Sequence, residues 1–319
     1  MDEILVSIIC NAYNHEPYIA DAIDSFLMQK TNFTYEVLIH DDASTDKTAD
    51  IIRIYEKKYP NIIKPIYQKE NQYSQGIKVG LLNIKRARGK YVAFCEGDDY
   101  WTDPYKLQKQ IDFMENNTKY SLCVHAATKI DAVTNKRIKD VRPSRFSKDF
   151  STEEVIFFGG GLFATSSMLF RRKNSMVRPD FYNNSPVGDY PLTIFLSLIG
   201  NVYYIDEFMS TYRYAVPGSW TDREFSNIEK KVKHFKLIEG MLKELDEYTK
   251  NTYSDTIKKT ILKNKYYLYL EQGKFYEAKK GETREYYKTL NIKRKLSINL
   301  RIYFPNLSKC LIKIKKVFT

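Results

Sequence analysis

Cysteine, proline and glycine are all scarce in this 319-residue chain, which holds four Cys, 10 Pro and 13 Gly. Cys10, Cys95, Cys123 and Cys310 show no CxxC spacing, and three of them lie in apolar runs. They therefore read as buried free thiols rather than a disulfide framework. So little Pro and Gly excludes a linker-rich or fibrous chain. No run of about 18 uninterrupted apolar residues occurs, so no transmembrane helix is expected. Met1-Asp-Glu-Ile-Leu5 has neither a basic n-region nor a long apolar core. No signal peptide is expected from it, and a reduced, cytoplasmic compartment is the simplest expectation. What is present is globular: 43% of residues are hydrophobic and 28% charged.

The formal net charge of +12 invites a nucleic-acid or anionic-membrane reading until its distribution is counted. Residues 1–250 hold 34 basic and 34 acidic side chains, whereas residues 251–319 hold 17 basic and 5 acidic. The whole excess is C-terminal. A nucleic-acid binder would interleave basic residues with a reader motif along its body, and this body is neutral.

The first 125 residues alternate between two hydrophobic periods. Val6-Ser-Ile-Ile-Cys10, Tyr35-Glu-Val-Leu-Ile-His40, Ile62–Tyr67, Tyr91-Val-Ala-Phe-Cys95 and Ser121–Ala126 read as strands. Pro17–Met28, the segment around Ala49, Ile52 and Tyr55, Gly76–Ala87 and the segment around Leu107, Ile111 and Met114 read as helices. Such alternation predicts βαβ units and a mainly parallel sheet. Residues 127–225 are less regular, with a Gly159–Gly161 break, a strand-like Ser166–Phe170, a helical Asp189–Leu198 and an extended Val202–Tyr214. From 226 onward the chain reads as helix, with Gln272-Gly273-Lys274 as a turn.

Ligands of open α/β sheets bind outside the carboxyl ends of the strands. That rule selects residues 11–15, 41–46 and 96–103, two of which are acid-rich. In His40-Asp-Asp-Ala-Ser-Thr-Asp46, residues Ser44–Asp46 can cap the next helix, which leaves Asp41 and Asp42 unexplained. Glu96-Gly-Asp-Asp-Tyr-Trp101 places three acids in four residues. These repel one another unless water or a cation screens them, and paired carboxylates suit Mg²⁺ or Mn²⁺. Trp101 beside them suggests an apolar platform for a sugar. Asp189 can cap its helix, and the same carboxylate can serve as a base.

Taken together, these segments resemble the family-2 glycosyltransferases over about residues 4–220. Val6-Ser-Ile-Ile-Cys-Asn-Ala-Tyr-Asn14 is similar to the family's opening strand and turn. Asp41-Asp-Ala-Ser-Thr-Asp46 is similar to its Asp-Asp-Gly-Ser-x-Asp. Arg88-Gly-Lys-Tyr-Val-Ala-Phe-Cys-Glu-Gly-Asp-Asp-Tyr-Trp101 looks like a DXD-type segment, and Gly188-Asp189 matches a later catalytic acid. The resemblance implies a GT-A fold, with a catalytic domain over 1–225 and a helical extension over 226–319. Residues 1–125 would form its nucleotide-binding half and 126–225 its acceptor half. It implies an inverting transfer from a nucleotide-diphosphate sugar, with UDP the expected carrier. The acceptor would be a hydroxyl of a glycan or lipid-linked saccharide in bacterial surface-polysaccharide synthesis.

The resemblance also implies roles. Asn11 and Tyr13 would line the nucleobase pocket, with Tyr13 stacking on the base, and Asp42 would accept the base N–H. Asp98 would bind ribose or assist the metal, Asp99 would coordinate the Mn²⁺ or Mg²⁺, and Arg88 would help neutralise phosphate. Asp189 would be the general base. Trp101, Arg213 and Trp220 are acceptor or loop candidates. A His common near the end of the family's catalytic domain is missing from Tyr212–Trp220, so either Arg213 takes the phosphate charge or the metal has fewer protein ligands. Gly218-Ser219-Trp220 is expected to close over the donor.

Two other enzyme or subunit readings compete. A nucleotidyltransferase would need a Gly-rich or Lys phosphate motif near the first strand, and none is there. A non-catalytic partner subunit would not need Asp42, Asp98, Asp99 and Asp189 together. Association into an oligomer is left open. Finally, residues 286–319 hold nine Lys or Arg and no acid. Leu307, Cys310, Leu311, Ile314 and Phe318 share one helical face, with Lys309, Lys313 and Lys316 opposite. This pattern reads either as an anchor on an anionic membrane surface, peripheral to the inner face of the plasma membrane, or as a terminal helix packed on the body.

Overall fold

A computed structural model describes residues 3–306. The amphipathic pattern expected over 307–318 lies outside the described residues. The chain divides into two compact units, Met1–Ser219 and Trp220–Thr319. The division falls at Ser219/Trp220, six residues before the sequence-based boundary.

In the first unit β1 (Ile4–Ala12), β2 (Thr34–Asp41), β3 (Ile63–Tyr67), β4 (Tyr91–Phe94), β5 (Tyr100–Trp101), β6 (Tyr120–Asp131), β7 (Lys148–Phe150), β8 (Leu169–Arg171) and β9 (Asn201–Tyr214) form one sheet. Its order is β3-β2-β1-β4-β8-β6-β9-β5, with β7 on β9. β1 pairs in parallel with β2 and β4, β2 with β3, and β6 with β9. β8 runs antiparallel between β4 and β6, and β5 and β7 are antiparallel to β9. The architecture is thus α/β with a mostly parallel central sheet.

Helices α1 (Ile19–Leu27), α2 (Thr48–Lys58), α3 (Val79–Arg86), α4 (Lys106–Asn116), α5 (Thr152–Phe158), α6 (Asp180–Asn183) and α7 (Asp189–Ile199) cover the sheet. α1 buries Ile19, Ala22, Ile23 and Phe26, one stripe at 3–4-residue spacing. β1 is apolar on both faces, with Val6, Ile8, Ile9 and Cys10 all buried, because helices lie on both sides of it. Cys10, Cys95 and Cys123 are buried free thiols, as expected. Residues 166–167, expected in a strand, belong to the 3₁₀ turn Thr165–Ser167, and β8 starts only at Leu169. Helix α5 lay unread in the irregular middle. Its start is a capping box in which Ser151 Oγ accepts from Glu154 N–H and Glu154 accepts from Ser151 N–H.

The second unit is helical: α8 (Trp220–Glu224), α9 (Ile228–Tyr248), α10 (Ser254–Glu271), α11 (Phe275–Lys280), α12 (Arg284–Thr289) and α13 (Ile292–Tyr303). Ile238, Met241, Leu242 and Leu245 of α9 are buried, as are Ile257 and Tyr266 of α10. Gly273 turns the chain between α10 and α11 at a φ of +73°, a conformation glycine adopts without steric cost. No helix among the described residues is long and apolar enough to cross a membrane.

Candidate active site

The carboxyl ends of β1, β2 and β4 carry three loops, and side chains from one loop satisfy the backbone of another. Asn14 N–H donates to Ser44 Oγ (3.0 Å), His15 N–H to Thr48 Oγ1 (2.8 Å) and Glu16 N–H to Asp46 Oδ2 (3.0 Å). In return, Thr45 N–H donates to Asn14 Oδ1 (2.8 Å) and Lys47 N–H to Glu16 Oε2 (3.2 Å). Asp46 Oδ1 also accepts Thr48 N–H at the start of α2 (2.9 Å). The Ser44–Asp46 segment therefore caps a helix and clamps the first loop in place. Ala43 holds a φ of +61°, where the family's motif has glycine.

Asp41 and Asp42 are both buried at the end of β2. Asp42 accepts Gln72 N–H on Oδ1 (2.8 Å) and Tyr73 N–H on Oδ2 (3.0 Å), and His40 Nε2 lies 3.3 Å from Oδ1. Asp42 is thus the anchor of the 71–76 loop. Burial pushes the Asp41 carboxyl up, and its Oδ1 has no protein partner. Asn11 at the end of β1 donates through Nδ2 to Glu96 Oε1 (3.4 Å) and accepts on Oδ1 from Asn83 Nδ2 (3.4 Å). Tyr13 is half-buried in the first loop.

The acid turn follows β4. Gly97 N–H donates to Asn11 O (2.9 Å) and Asp99 N–H to Glu96 O (3.1 Å). A Cβ on Gly97 would stand 2.8 Å from His15 Nδ1 and 3.0 Å from Ile19 Cδ1, so a larger residue there would displace the His15 side chain from its place against the turn. Burial first, and then the charge of Asp98, push Glu96 up to about 8. The same two causes hold Asp99 well above the usual carboxylate range. Crowded acids of this kind gain from a cation.

Arg213 of β9 braces this turn. Its backbone N–H donates to Asp99 Oδ1 (2.9 Å) and its Nη1 to Asp98 O (3.0 Å). Its Nη2 pairs with Asp21, and its guanidinium lies 4.4 Å from the Tyr100 ring centroid and 5.1 Å from that of Tyr18. Arg213 was expected to take a phosphate charge; its guanidinium is instead engaged by these four residues.

Asp189 opens α7 one residue inside the helix, where its Oδ1 accepts Tyr190 N–H (2.8 Å). Tyr190 anchors the helix start by donating its hydroxyl to Ile156 O (2.6 Å). Burial raises the Asp189 carboxyl, which strengthens it as a base. Its charge in turn helps raise Glu96, so the helix start and the acid turn share one electrostatic field.

Three candidates are corrected. Trp101 is 1% exposed, with Nε1 donating to Ser166 O (2.9 Å), its ring edge-on to Phe26 and Lys106 Nζ 3.9 Å from its centroid. It is a core residue rather than a sugar platform, because the β5 pairing with β9 turns Tyr100 outward and Trp101 inward. Arg88 grips Glu36, near the start of β2, through Nε (2.9 Å), Nη2 (2.8 Å) and its backbone N–H (2.8 Å). That is the amino end of the strands, the opposite edge from the acids. Trp220, expected in a mobile loop, begins α8 and meets Phe225 and His234 edge-on at 5.5 and 5.4 Å. Conversely, His15 went unread. Its Nε2 lies 3.9 Å from Asp98 Oδ2 and its buried Nδ1 has no partner. Its place directly after Tyr13-Asn14 was the available signal.

Among the described residues no three His, Cys, Asp or Glu side chains converge as a complete set of metal ligands. Asp98 and Asp99 supply adjacent carboxylates of the kind that a hard divalent cation takes.

An acidic site at the carboxyl edge of a mostly parallel sheet, with a further acid at a helix start, is the arrangement of a GT-A type of glycosyltransferase. The family profile described as "Glycosyl transferase family 2" matches residues 7–176, and the chain belongs to that family. Uncharacterized protein Rv1520 of Mycobacterium tuberculosis is 33% identical over 227 residues, covering 68% of this chain and 62% of that protein. This chain thus spans less than two thirds of the length of that relative. The Escherichia coli UDP-Glc:alpha-D-GlcNAc-diphosphoundecaprenol beta-1,3-glucosyltransferase WfaP is 42% identical over 113 residues, 35% of this chain and 41% of that one. Among solved structures, S. aureus TarS 1–349 in complex with UDP-GlcNAc shares the fold. Its TM-score is 0.61 at 16% identity, over 92% of this chain and 78% of that one.

Proposed function

We propose that this glycosyltransferase moves a sugar from a UDP-sugar to a hydroxyl of a glycan or lipid-linked saccharide, with inversion, in the synthesis of a bacterial surface polysaccharide. The observation that carries the reading is the Asp98–Asp99 turn held by Arg213 at the carboxyl edge of the sheet, with Asp189 at the start of α7. A base and a leaving-group site that act on one anomeric carbon have to lie within reach of each other. The UDP-Glc and diphosphoundecaprenol in the name of WfaP, and the UDP-GlcNAc bound to TarS, support the choice of donor and acceptor class.

Asp189 takes the acceptor hydroxyl proton as the oxygen attacks, and its raised basicity favours that transfer. Asp98 and Asp99 would hold Mn²⁺ or Mg²⁺, which would supply charge neutralisation to the departing diphosphate. Arg213 keeps both acids oriented through its backbone and side-chain bonds. Asn11, Tyr13 and Asp42 form the nucleobase side, with residues 1–125 as the donor half and 126–225 as the acceptor half. No side-chain nucleophile is needed, because the acceptor oxygen displaces the diphosphate directly. The basic segment 286–319 brings the enzyme to an anionic membrane surface, at the inner face of the plasma membrane. α13 supports this by exposing Ile292 (74%), Leu296 (61%) and Tyr303 (58%) along one stripe among basic residues.

A panel of UDP-, dTDP- and GDP-sugars tests the proposal, scored by Mn²⁺-dependent hydrolysis and thermal stabilisation. One sugar nucleotide is expected to stand out in both, and a flat response across the panel sinks the reading.

A further inference from the structure

Outside the acid turn, the first unit places two cations around one aromatic ring without pairing either to a carboxylate among the described residues. Lys78 Nζ donates to Tyr182 O at 2.6 Å and lies 5.0 Å from the Tyr182 ring centroid. The Arg178 guanidinium lies 4.2 Å from the same centroid. Arg178 Nε donates to Ser175 O (2.9 Å), while its Nη2 is buried with no hydrogen-bond partner. Burial and the neighbouring Arg178 charge push Lys78 down to about 8, the direction expected when like charges share a site with no anion. Tyr182 lies in α6, which packs against α7, the helix that Asp189 opens. A pair needed only for packing gains nothing from this mutual repulsion, whereas an anion between them relieves it.

The residues that precede each cation in the chain are apolar and exposed. Ile77, directly before Lys78, is 36% exposed, and Met176 and Val177, directly before Arg178, are 50% and 80% exposed. One exposed apolar residue needs no explanation. Three that stand next in the chain to the two members of a cation pair are a combination suited to an anionic head joined to a hydrocarbon chain. A nucleoside diphosphate has no such chain.

We propose that Lys78 and Arg178, bracketing Tyr182 and flanked by Ile77, Met176 and Val177, bind the diphosphate and first isoprene units of a lipid-linked acceptor. This rests on the transfer reading above and adds the place and chemistry of the acceptor's carrier. The cations hold the diphosphate, the apolar residues hold the start of the chain, and the sugar hydroxyl is thereby directed to Asp189.

Farnesyl diphosphate is the probe, titrated into the full chain by calorimetry, with farnesol and UDP plus Mn²⁺ as separate arms. Wild-type protein is expected to bind farnesyl diphosphate more tightly than farnesol. In Lys78→Gln/Arg178→Gln that binding is expected to weaken about tenfold or more, with UDP binding unchanged. No wild-type binding, or equal binding by the variant, overturns the proposal. Parallel loss of UDP binding also overturns it, because the cations would then serve the donor diphosphate. Val177→Asp changes a side chain 80% exposed and serves if the double variant does not fold. It is expected to weaken farnesyl diphosphate binding and leave UDP binding intact, and unchanged binding again overturns the proposal. Absent sugar transfer with retained farnesyl diphosphate binding would fail the transfer reading and not this site.

Discussion

The backbone N–H of Arg213 donates to Asp99 Oδ1 at 2.9 Å while its guanidinium bonds the carbonyl of Asp98 at 3.0 Å, so one residue of β9 holds two consecutive acids. These acids lie more than a hundred residues earlier in the chain. Their orientation therefore depends on correct pairing of β5 with β9. Arg213→Gln keeps the backbone bond and loses the brace. It is expected to cost about 2 kcal/mol in urea denaturation and to raise the half-saturating Mn²⁺ concentration. A variant with wild-type Mn²⁺ dependence would show that the brace does not orient the acids.

Asp189→Asn keeps the size of the side chain and its bond from Tyr190 N–H, and removes the basic oxygen. Transfer is expected to fall by about 10²–10⁴-fold, with nucleotide-sugar affinity nearly unchanged. Steady-state rates set against donor titration measure both, and retention of most transfer activity would refute the base assignment.

Glu96 gives a pH signature. Folding raises its pKa from the ordinary carboxylate range to about 8, so between roughly pH 4.5 and 8 the folded chain keeps a proton that the unfolded chain releases. Its contribution is full below that window and is lost as pH rises through it, by up to about 1.4 kcal/mol per pH unit. Glu96→Gln removes this loss. Without divalent cation, the variant is expected to gain on wild type as pH rises from 5 to 8, and to gain no more above 8. Denaturation midpoints across pH measure the difference, which a pH-independent offset would contradict.

Trp101 separates core from site. Buried against Phe26 with Lys106 over its ring, it is expected to cost about 3–5 kcal/mol when changed to Ala. In the fraction that folds, the KM for acceptor should be unaltered. A selective rise in acceptor KM with normal stability would restore the platform reading.

Anionic vesicles test the C-terminal segment. The full chain is expected to co-sediment with phosphatidylglycerol vesicles and not with phosphatidylcholine vesicles, and to be released by salt, each basic residue near the surface contributing about 1 kcal/mol. Ile292→Asp/Leu296→Asp, on the exposed stripe of α13, should reduce the bound fraction. Equal sedimentation with both lipids would argue for packing alone.

How far the sequence reveals the site depends on the separation of partners. β1, β2 and β4 are short β-branched runs between helical patterns, so the strand ends, and with them Asn11, Asp42 and Asp98–Asp99, follow from local periodicity. Trp101 misleads because its inward direction is set by pairing with Ser210 on β9, a contact no local pattern contains. Arg88 misleads for the same reason, its partner Glu36 lying 52 residues earlier. The antiparallel β8 is three residues long, too short to announce its direction. Lys78 lies in a segment read only as a helix and Arg178 in the irregular middle, a hundred residues apart, and only folding brings them to one ring.

The buried thiols carry a separate consequence. Cys10 lies on β1 and Cys95 directly after the neighbouring β4, one peptide bond before Asn11 and Glu96 respectively. Burial pushes both thiols well above their ordinary pKa and away from the reactive thiolate. An alkylating reagent reaches them only when the sheet parts beneath the acids. Their rate of modification, read by mass on the peptides that contain them, is a built-in clock for the opening of the catalytic floor.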